Sequence, residues 1–158
     1  MPTFLVKFKA ELEGIKQLIP ISNNEWRLDI RSSDNDVDVR KDITISGSDV
    51  IALEGSRGEA HYVMKWPGSK HQSYMKIIDV KNVTGRYASE DSGKWLTILG
   101  LECRGIEPTR WIPGSDFIAE SDGGHYFESV DLSERDWAEY DEDNDLSVSI
   151  TNVECKIE

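Results

Sequence analysis

The sequence predicts an all-β protein, a sandwich or barrel-like pair of sheets made of two similar halves. Short segments alternate apolar and polar residues, and turn-forming residues separate these segments. A repeat is also present, because Phe4–Ile15 reappears in altered form as Trp95–Ile106, at an offset of about 91 residues. Either half alone is small for a stable core. We therefore expect residues 1–90 and 91–158 to pack as one compact unit.

The opening segment shows the strand pattern most clearly, since Phe4, Val6 and Phe8 share one face and Lys7 and Lys9 the other. Further strands are predicted, in chain order, within Trp26–Ile30, Val37–Ile45, Tyr62–Trp66, Met75–Val83, Trp95–Cys103, Tyr126–Val130 and Leu146–Ile157. Turn-forming residues lie between them, including those at 22–24, 32–36, 67–69 and 122–124. Residues 46–49 and 133–136 predict short helical turns, and the acidic stretch 131–145 predicts a solvated loop.

Composition limits the partners and the location of the protein. The formal net charge is -12 and the basic residues are scattered, which argues against nucleic acid and anionic membrane as partners. No apolar run reaches the roughly 20 residues of a membrane span, and no secretory leader opens the sequence. The cysteines, Cys103 and Cys155, are predicted to be reduced thiols in strands. We expect a cytoplasmic protein without a cofactor, whose oligomeric state the sequence leaves open.

The three histidines are either ordinary surface residues or part of a functional site, which could be a metal site or the site of an acid-base hydrolase. His61 and His71 could face each other across a hairpin, and with Asp34 or Asp36 they would make an oxygen–nitrogen metal site. An acid-base hydrolase would need a perturbed carboxylate or His125 in a pocket. No serine or cysteine has the sequence context of a known nucleophile, so we predict that the protein is not an enzyme.

The predicted binding residues are charged and aromatic, and they lie in the second half of the chain. They are Arg104, Glu107, Trp137, Tyr140 and Asp141. Exposed Trp and Tyr beside Arg are typical of interaction hot spots, although Trp137 could instead cap the core. The favoured hypothesis is a protein-interaction module that binds another protein through aromatic anchors and acidic steering. A metal-handling protein with the His and Asp site is the alternative.

Three stretches carry a family resemblance: the opening strand, the run Glu102–Pro108, and the segment Asp136–Glu142. In these, and along essentially the whole chain, the sequence resembles the eukaryotic CXXC-motif-containing zinc-binding proteins. The resemblance implies an all-β fold of two similar halves, an intracellular location and a poorly defined function.

The resemblance also implies where a zinc site would lie. Members of the family carry two Cys-x-x-Cys pairs, a spacing suited to a closed tetrahedral zinc site. By position, these pairs fall on Ser32 and Asn35, and on Trp66 and Ser69. None of the four residues can supply a thiolate, so the resemblance implies a member that has lost the zinc site. Burial of Trp66 would then replace part of the stabilisation that zinc provides.

Overall fold

The computed structural model describes residues 2–21, 25–78 and 86–158, and it confirms the all-β prediction. Its strands are β1 (Thr3–Glu13), β2 (Ile15–Pro20), β3 (Glu25–Ser32), β4 (Val39–Ser46), β5 (Ile51–Ala52), β6 (Glu59–Ala60), β7 (Tyr62–Met64), β8 (Ser73–Ile78), β9 (Tyr87–Ala88), β10 (Leu96–Arg104), β11 (Ile106–Ile112), β12 (Phe117–Ser121), β13 (Tyr126–Val130), β14 (Trp137–Asp141) and β15 (Leu146–Ile157). Within these residues, a single 3-10 turn at Ser89–Asp91 is the helical content, and no helix could cross a bilayer. The predicted turn at 22–24 and the strand positions beyond Ile78 lie outside the described residues.

The strands form three larger antiparallel sheets and one small hairpin. The largest sheet has the order β14-β15-β1-β10-β8-β7, and the other two have the orders β11-β3-β4 and β13-β12-β2-β9. Strands β5 and β6 pair as a separate hairpin. Each of the three larger sheets contains strands from both 1–90 and 91–158, so the two halves are interleaved.

The pairing between the halves is reciprocal. Strand β1 pairs with β10, β2 pairs with β12, and β3 pairs with β11. The corners after β1 and β10 are both formed by a glycine with positive φ, Gly14 at 70° and Gly105 at 74°. In order along the two halves, β1, β2 and β3 correspond to β10, β11 and β12, so the second strand of each half pairs with the third strand of the other. Two copies related by a two-fold axis would give this pattern. Internal duplication itself stays a prediction.

Aromatic rings hold the sheets together in the interior. Phe8 on β1 lies at their centre, with ring centroids 5.0 Å from Tyr87, 5.4 Å from Phe117 and 6.1 Å from Trp111. All four side chains are at most 1% exposed. A buried aromatic side chain contributes up to about 4–6 kcal/mol by removal of its area from water. This core positions β1, β11 and β12 relative to one another.

Two sequence predictions were wrong, one about the stretch 131–145 and one about the two short helical turns. The stretch 131–145 is not simply a loop, because it contains β14, which pairs with β15 along its whole length. Its alternation is weak because β14 is an edge strand, with Ala138, Glu139 and Tyr140 all exposed. The segments 46–49 and 133–136 form hydrogen-bonded turns and not helices.

Candidate functional site

The first turn where the resemblance places zinc ligands, residues 32–38, is closed by its own side chains. The Asn35 Oδ1 atom accepts hydrogen bonds from the backbone N–H groups of Val37 (2.9 Å) and Asp38 (2.8 Å). The Ser32 Oγ atom accepts one from the N–H of Asp34 (3.1 Å). Side-chain oxygens that satisfy nearby backbone donors stabilise a turn locally. The first turn therefore has a hydrogen-bonded structure that requires no ion.

The second turn, residues 66–69, is closed by its backbone. The N–H of Ser69 donates to the carbonyl oxygen of Trp66 over 3.0 Å. Pro67 fixes its own φ, and Gly68 has a φ of 79°, which together are typical of a type II turn. The Ser69 hydroxyl donates to the His71 carbonyl (3.1 Å) and accepts from the His71 N–H (3.4 Å).

The Trp66 side chain connects the two turns. Its indole is 6% exposed and its Nε1–H donates to the carbonyl oxygen of Gly105 over 2.8 Å. The same oxygen accepts the N–H of Ser33 in the first turn over 3.2 Å. The guanidinium of Arg40 lies 5.8 Å from the indole ring, within the range of a cation–π contact. The two turns thus meet around one carbonyl and one buried indole.

These residues do not fit a structural zinc ion. Zinc sites of this kind are built from thiolates and imidazoles, and an indole Nε1–H is a donor only. The oxygens of Ser32, Asn35 and Ser69 already accept backbone hydrogen bonds. No step of the protein's function is therefore assigned to zinc.

The alternative metal site predicted from His61, His71, Asp34 and Asp36 is not brought together. The backbone of His61 is level with Met75, and its Nδ1 atom accepts the Ile77 N–H over 2.8 Å. His71 lies in the turn before β8, four residues earlier than Met75. His71 lies beyond the start of β8 at Ser73, which is itself roughly 7 Å from Met75 at about 3.3 Å per strand residue. The sequence prediction was wrong because β7 and β8 pair in a register that does not place the histidines opposite each other.

Among the described residues, His125, Asp141 and Asp143 form the one group of metal-ligand types, with ligand atoms within 4.8 Å of one another. Asp141 is fully buried, and its Oδ2 accepts the Ser121 hydroxyl (2.6 Å) and the Asn144 amide (2.8 Å). Its Oδ1 accepts the Asn144 N–H (3.2 Å). Both oxygens of Asp141 are therefore occupied, and the group fastens the turn between β14 and β15 to the end of β12.

Ser121, His125 and Asp141 are also the residue types of a hydrolase triad, but they are not hydrogen-bonded to one another as a catalytic triad is. The Ser121 hydroxyl donates to Asp141 and accepts the backbone N–H of His125 over 3.1 Å. The His125 imidazole instead faces Asp143, at 3.3 Å. A nucleophilic serine needs the imidazole as its base. This arrangement, with Ser121 at 0% exposure, has the geometry of a structural network.

The buried Asp141 carboxylate should make stability depend on acid. Burial opposes its ionisation, but hydrogen bonds from Ser121 and Asn144 outweigh burial and hold the pKa of Asp141 below its ordinary value of 3.8. A lowered folded-state pKa gives stability that is present above the unfolded pKa and is lost as pH falls through the folded pKa. We expect Asp141→Asn to lower the free energy of unfolding at pH 7, with a smaller loss at pH 3. Urea denaturation at both pH values measures this; equal losses would contradict it.

The predicted binding residues do not form one surface. Arg104 is exposed at the end of β10, and Glu107 on β11 pairs with Arg31 at 2.9 Å. Tyr140 is 46% exposed on β14, whereas Trp137 is half-buried with its ring 5.3 Å from that of Phe127.

Strand β1 separates these two groups. The end of β10 lies beside Thr3, and β14 lies level with Glu13 through its pairing with β15. Measured along β1 at about 3.3 Å per residue, these two ends are roughly 30 Å apart. Asp141 is a correction to the prediction, because its buried carboxylate is held by Ser121 and Asn144 and does not face a partner.

Arg104 belongs to a groove that the sequence did not reveal. Tyr74 and Lys76 on β8 and Arg104 on β10 share the outer face of the large sheet, because Arg104 pairs with Tyr74. The loop 53–58 between β5 and β6 forms one wall, and the turn 70–72 forms the other. The Glu54 N–H donates to the Gln72 Oε1 over 2.8 Å and joins the walls. The groove has a volume of about 450 Å³.

We call this feature the basic groove, after the residues Lys70, His71, Lys76 and Arg104 that line it. Its one acidic lining residue, Glu54, has its carboxylate 3.5 Å from the ammonium of Lys65, outside the groove. Within the described part of the chain, no carboxylate lies within 4.0 Å of Lys70, His71, Lys76 or Arg104, although Glu102 pairs with Lys76 across β8 and β10 on the same face. Basic residues that are scattered in the sequence are therefore gathered in space, which corrects the expectation that they form no cluster.

The two cysteines lie outside both sites. Cys103 on β10 is buried and Cys155 on β15 is half-buried, and they are not disulfide-bonded. Burial raises the pKa of both thiols to about 12. They are therefore protonated at neutral pH, and neither is a thiolate nucleophile.

Comparison with known proteins identifies the family. The family model of the CXXC motif containing zinc binding protein, eukaryotic, matches residues 5–158. The proteins of that name from Homo sapiens and Xenopus laevis are 32% and 33% identical to this chain, over 97% and 98% of it and 96% of each relative.

Solved structures agree with this match. A hypothetical protein from Plasmodium falciparum is 30% identical with a TM-score of 0.92, and both chains are covered completely. The crystal structure of C1orf123 is 31% identical with a TM-score of 0.88 over 99% of both chains. The chain therefore belongs to the eukaryotic CXXC motif containing zinc binding protein family, as a member with only two cysteines, both outside the turns where the zinc ligands are expected.

Proposed function

We propose that this protein is a non-enzymatic protein-interaction module that works without the zinc of its family and binds a partner protein through the basic groove. The observation that supports this proposal is the local charge, because Lys70, Lys76 and Arg104 line one concave surface of a chain whose net charge is -12. These cations repel one another. Glu102, which pairs with Lys76 on the same face of the sheet, offsets one of them, and an anionic partner would relieve the remaining repulsion.

Binding is favoured over catalysis by the state of the reactive groups. The thiols of Cys103 and Cys155 are protonated, and the Ser121 hydroxyl is buried and hydrogen-bonded to Asp141. Ser56 and His71 both line the basic groove, but no hydrogen bond joins them among the described residues, so they do not constitute a nucleophile with its base.

A protein partner is favoured by the surroundings of the groove. The hairpin that forms one wall begins with Val50 and Ile51, which are 60% and 40% exposed. Interfaces commonly combine an apolar area with polar and charged contacts. An acidic segment of a partner could lie in the groove while an apolar side chain contacts this wall.

The proposal is tested by reversing charges in the groove. Wild type and the double variant Lys76→Glu, Arg104→Glu are used to capture proteins from extracts of the cells that make this protein, with mass spectrometry as the readout. The matched control is Lys41→Glu, Lys94→Glu, which makes the same charge change at exposed lysines outside the groove. We expect the groove variant to lose at least one partner that wild type and control both retain.

Circular dichroism and thermal unfolding should show that both variants remain folded, since the four substituted positions are exposed or half-buried. Identical partner sets for the three proteins would rule out the basic groove as the binding site. A Tyr140→Ala variant tests the other predicted surface in the same experiment, because Tyr140 is exposed on the edge strand β14.

A further inference from the structure

The charge of the basic groove indicates the chemistry of its ligand more closely. Lys70, Lys76 and Arg104 carry three positive charges, Glu102 opposite Lys76 offsets one of them, and Glu54, the one acidic lining residue, already pairs with Lys65. A single carboxylate brings one negative charge and leaves part of the remaining excess uncompensated. A phosphate monoester brings about 1.5–2 negative charges at pH 7 and three acceptor oxygens.

The hydrogen-bond donors in the groove also have the geometry that phosphate oxygens require. Arg104 offers a planar guanidinium, which can bind two phosphate oxygens at once, and the two lysines offer ammonium groups. Ser56 in the loop wall accepts the Gly58 N–H over 3.0 Å, which leaves its own hydroxyl proton to donate. Tyr74 is 7% exposed and forms the floor, with the Lys76 ammonium 5.5 Å from its ring.

The size of the groove decides between a free ion and a side chain. Its volume of about 450 Å³ is far larger than one phosphate group and lies within the range of about 300–1,000 Å³ typical of ligand sites. A phosphorylated side chain together with the backbone that carries it would occupy more of this volume. We propose that the basic groove binds a phosphorylated serine or threonine of a partner protein. This inference rests on the proposed function and specifies its ligand.

The test uses four probes and backbone-amide NMR spectra of the full chain. The probes are the peptide N-acetyl-Ala-Ala-phosphoSer-Ala-Ala-amide, the same peptide with Glu or with Ser at the centre, and inorganic phosphate. We expect the phosphopeptide to shift the amides of Ser56, Tyr74, Lys76 and Arg104. One additional charge-assisted hydrogen bond is worth about ten-fold in affinity, so it should bind at least about ten-fold more tightly than the Glu peptide.

Single-charge variants locate the site. Arg104→Gln should weaken phosphopeptide binding by about ten-fold or more, and Arg104→Lys should give an intermediate loss because the planar fork is missing. The matched control Lys41→Gln removes one charge outside the groove and should leave the affinity within about two-fold, since exposed charges beyond about 10 Å are screened at 0.1 M salt.

Each contrary outcome has a distinct meaning. Equal binding of the phosphopeptide and the Glu peptide would overturn phosphate recognition and leave an acidic partner, and therefore the proposed function, in place. Inorganic phosphate binding as tightly as the phosphopeptide would overturn recognition of a phosphorylated side chain in favour of a free ion. If no probe shifts the groove amides, the inference fails. The proposed function fails with it only if the charge-reversed variant also keeps every partner.

Discussion

Replacement of Trp66 by alanine should lower the free energy of unfolding by about 3–5 kcal/mol, the usual cost of deleting a buried aromatic side chain. The indole is 6% exposed, belongs to the main core, and donates to the carbonyl oxygen of Gly105. Its removal leaves a cavity and takes one donor from the carbonyl that joins the two turns. Urea denaturation at pH 7 measures the loss.

Trp95→Ala is the matched control, because the same side chain is removed from the surface. Trp95 is 36% exposed and lies under Lys156, whose ammonium is 4.4 Å from its ring. We expect this variant to lose less than about 1 kcal/mol, as is usual for surface contacts. Equal losses for the two variants would mean that Trp66 has no special role in joining the turns.

Trp66→Phe separates packing from hydrogen bonding. Phenylalanine keeps most of the buried apolar area but cannot donate to Gly105, so the expected loss is about 1–3 kcal/mol. Hydrogen exchange at the Ser33 amide provides a local readout, since this amide shares the Gly105 carbonyl with the indole. Faster exchange in Trp66→Ala than in Trp95→Ala is expected.

The fold was largely predictable because strand alternation reports burial directly. Val6, Phe8 and Ala10 alternate in the sequence and are all fully buried in β1. Strand β14 was missed because an edge strand needs only a partner's backbone, and its exposed residues show no alternation. Alternation reports a strand where one face is buried and the other is solvated, and it gives no signal in β14, where three consecutive residues are exposed.

The candidate site was mostly unpredictable because its residues are distant in the sequence. Alternation along β8 puts Tyr74 and Lys76 on one face, but only the pairing of β8 with β10 places Arg104 beside them. The loop 53–58 reaches the groove through a hydrogen bond between Glu54 and Gln72, which no local pattern indicates. The burial of Asp141 was missed partly for the same reason, since its carboxylate accepts a hydrogen bond from Ser121 at the end of β12, twenty residues earlier.

The simultaneous variant Ser32→Cys, Asn35→Cys, Trp66→Cys, Ser69→Cys should bind one zinc ion per chain, whereas wild type should bind none. The two turns already meet around the Gly105 carbonyl, and the substitutions restore the Cys-x-x-Cys spacing at both. Zinc binding to four thiolates is worth about 10–16 kcal/mol in small peptides, which exceeds the roughly 3–5 kcal/mol lost with the indole.

The zinc-loaded variant should therefore unfold at a temperature no lower than wild type, and a chelator should lower this temperature strongly in the variant alone. Elemental analysis by mass spectrometry counts the metal, and the variant is refolded with zinc present in case its apo form does not fold. A version that keeps Ser69 is the control, because three thiolates leave the tetrahedron open to water and should hold zinc more weakly. If the four-cysteine variant folds but takes up no zinc, the two turns do not hold the positions of the family's zinc ligands. Zinc uptake would show that the turns keep the spacing of a zinc site, and that Trp66 and local hydrogen bonds now perform the structural role of the ion.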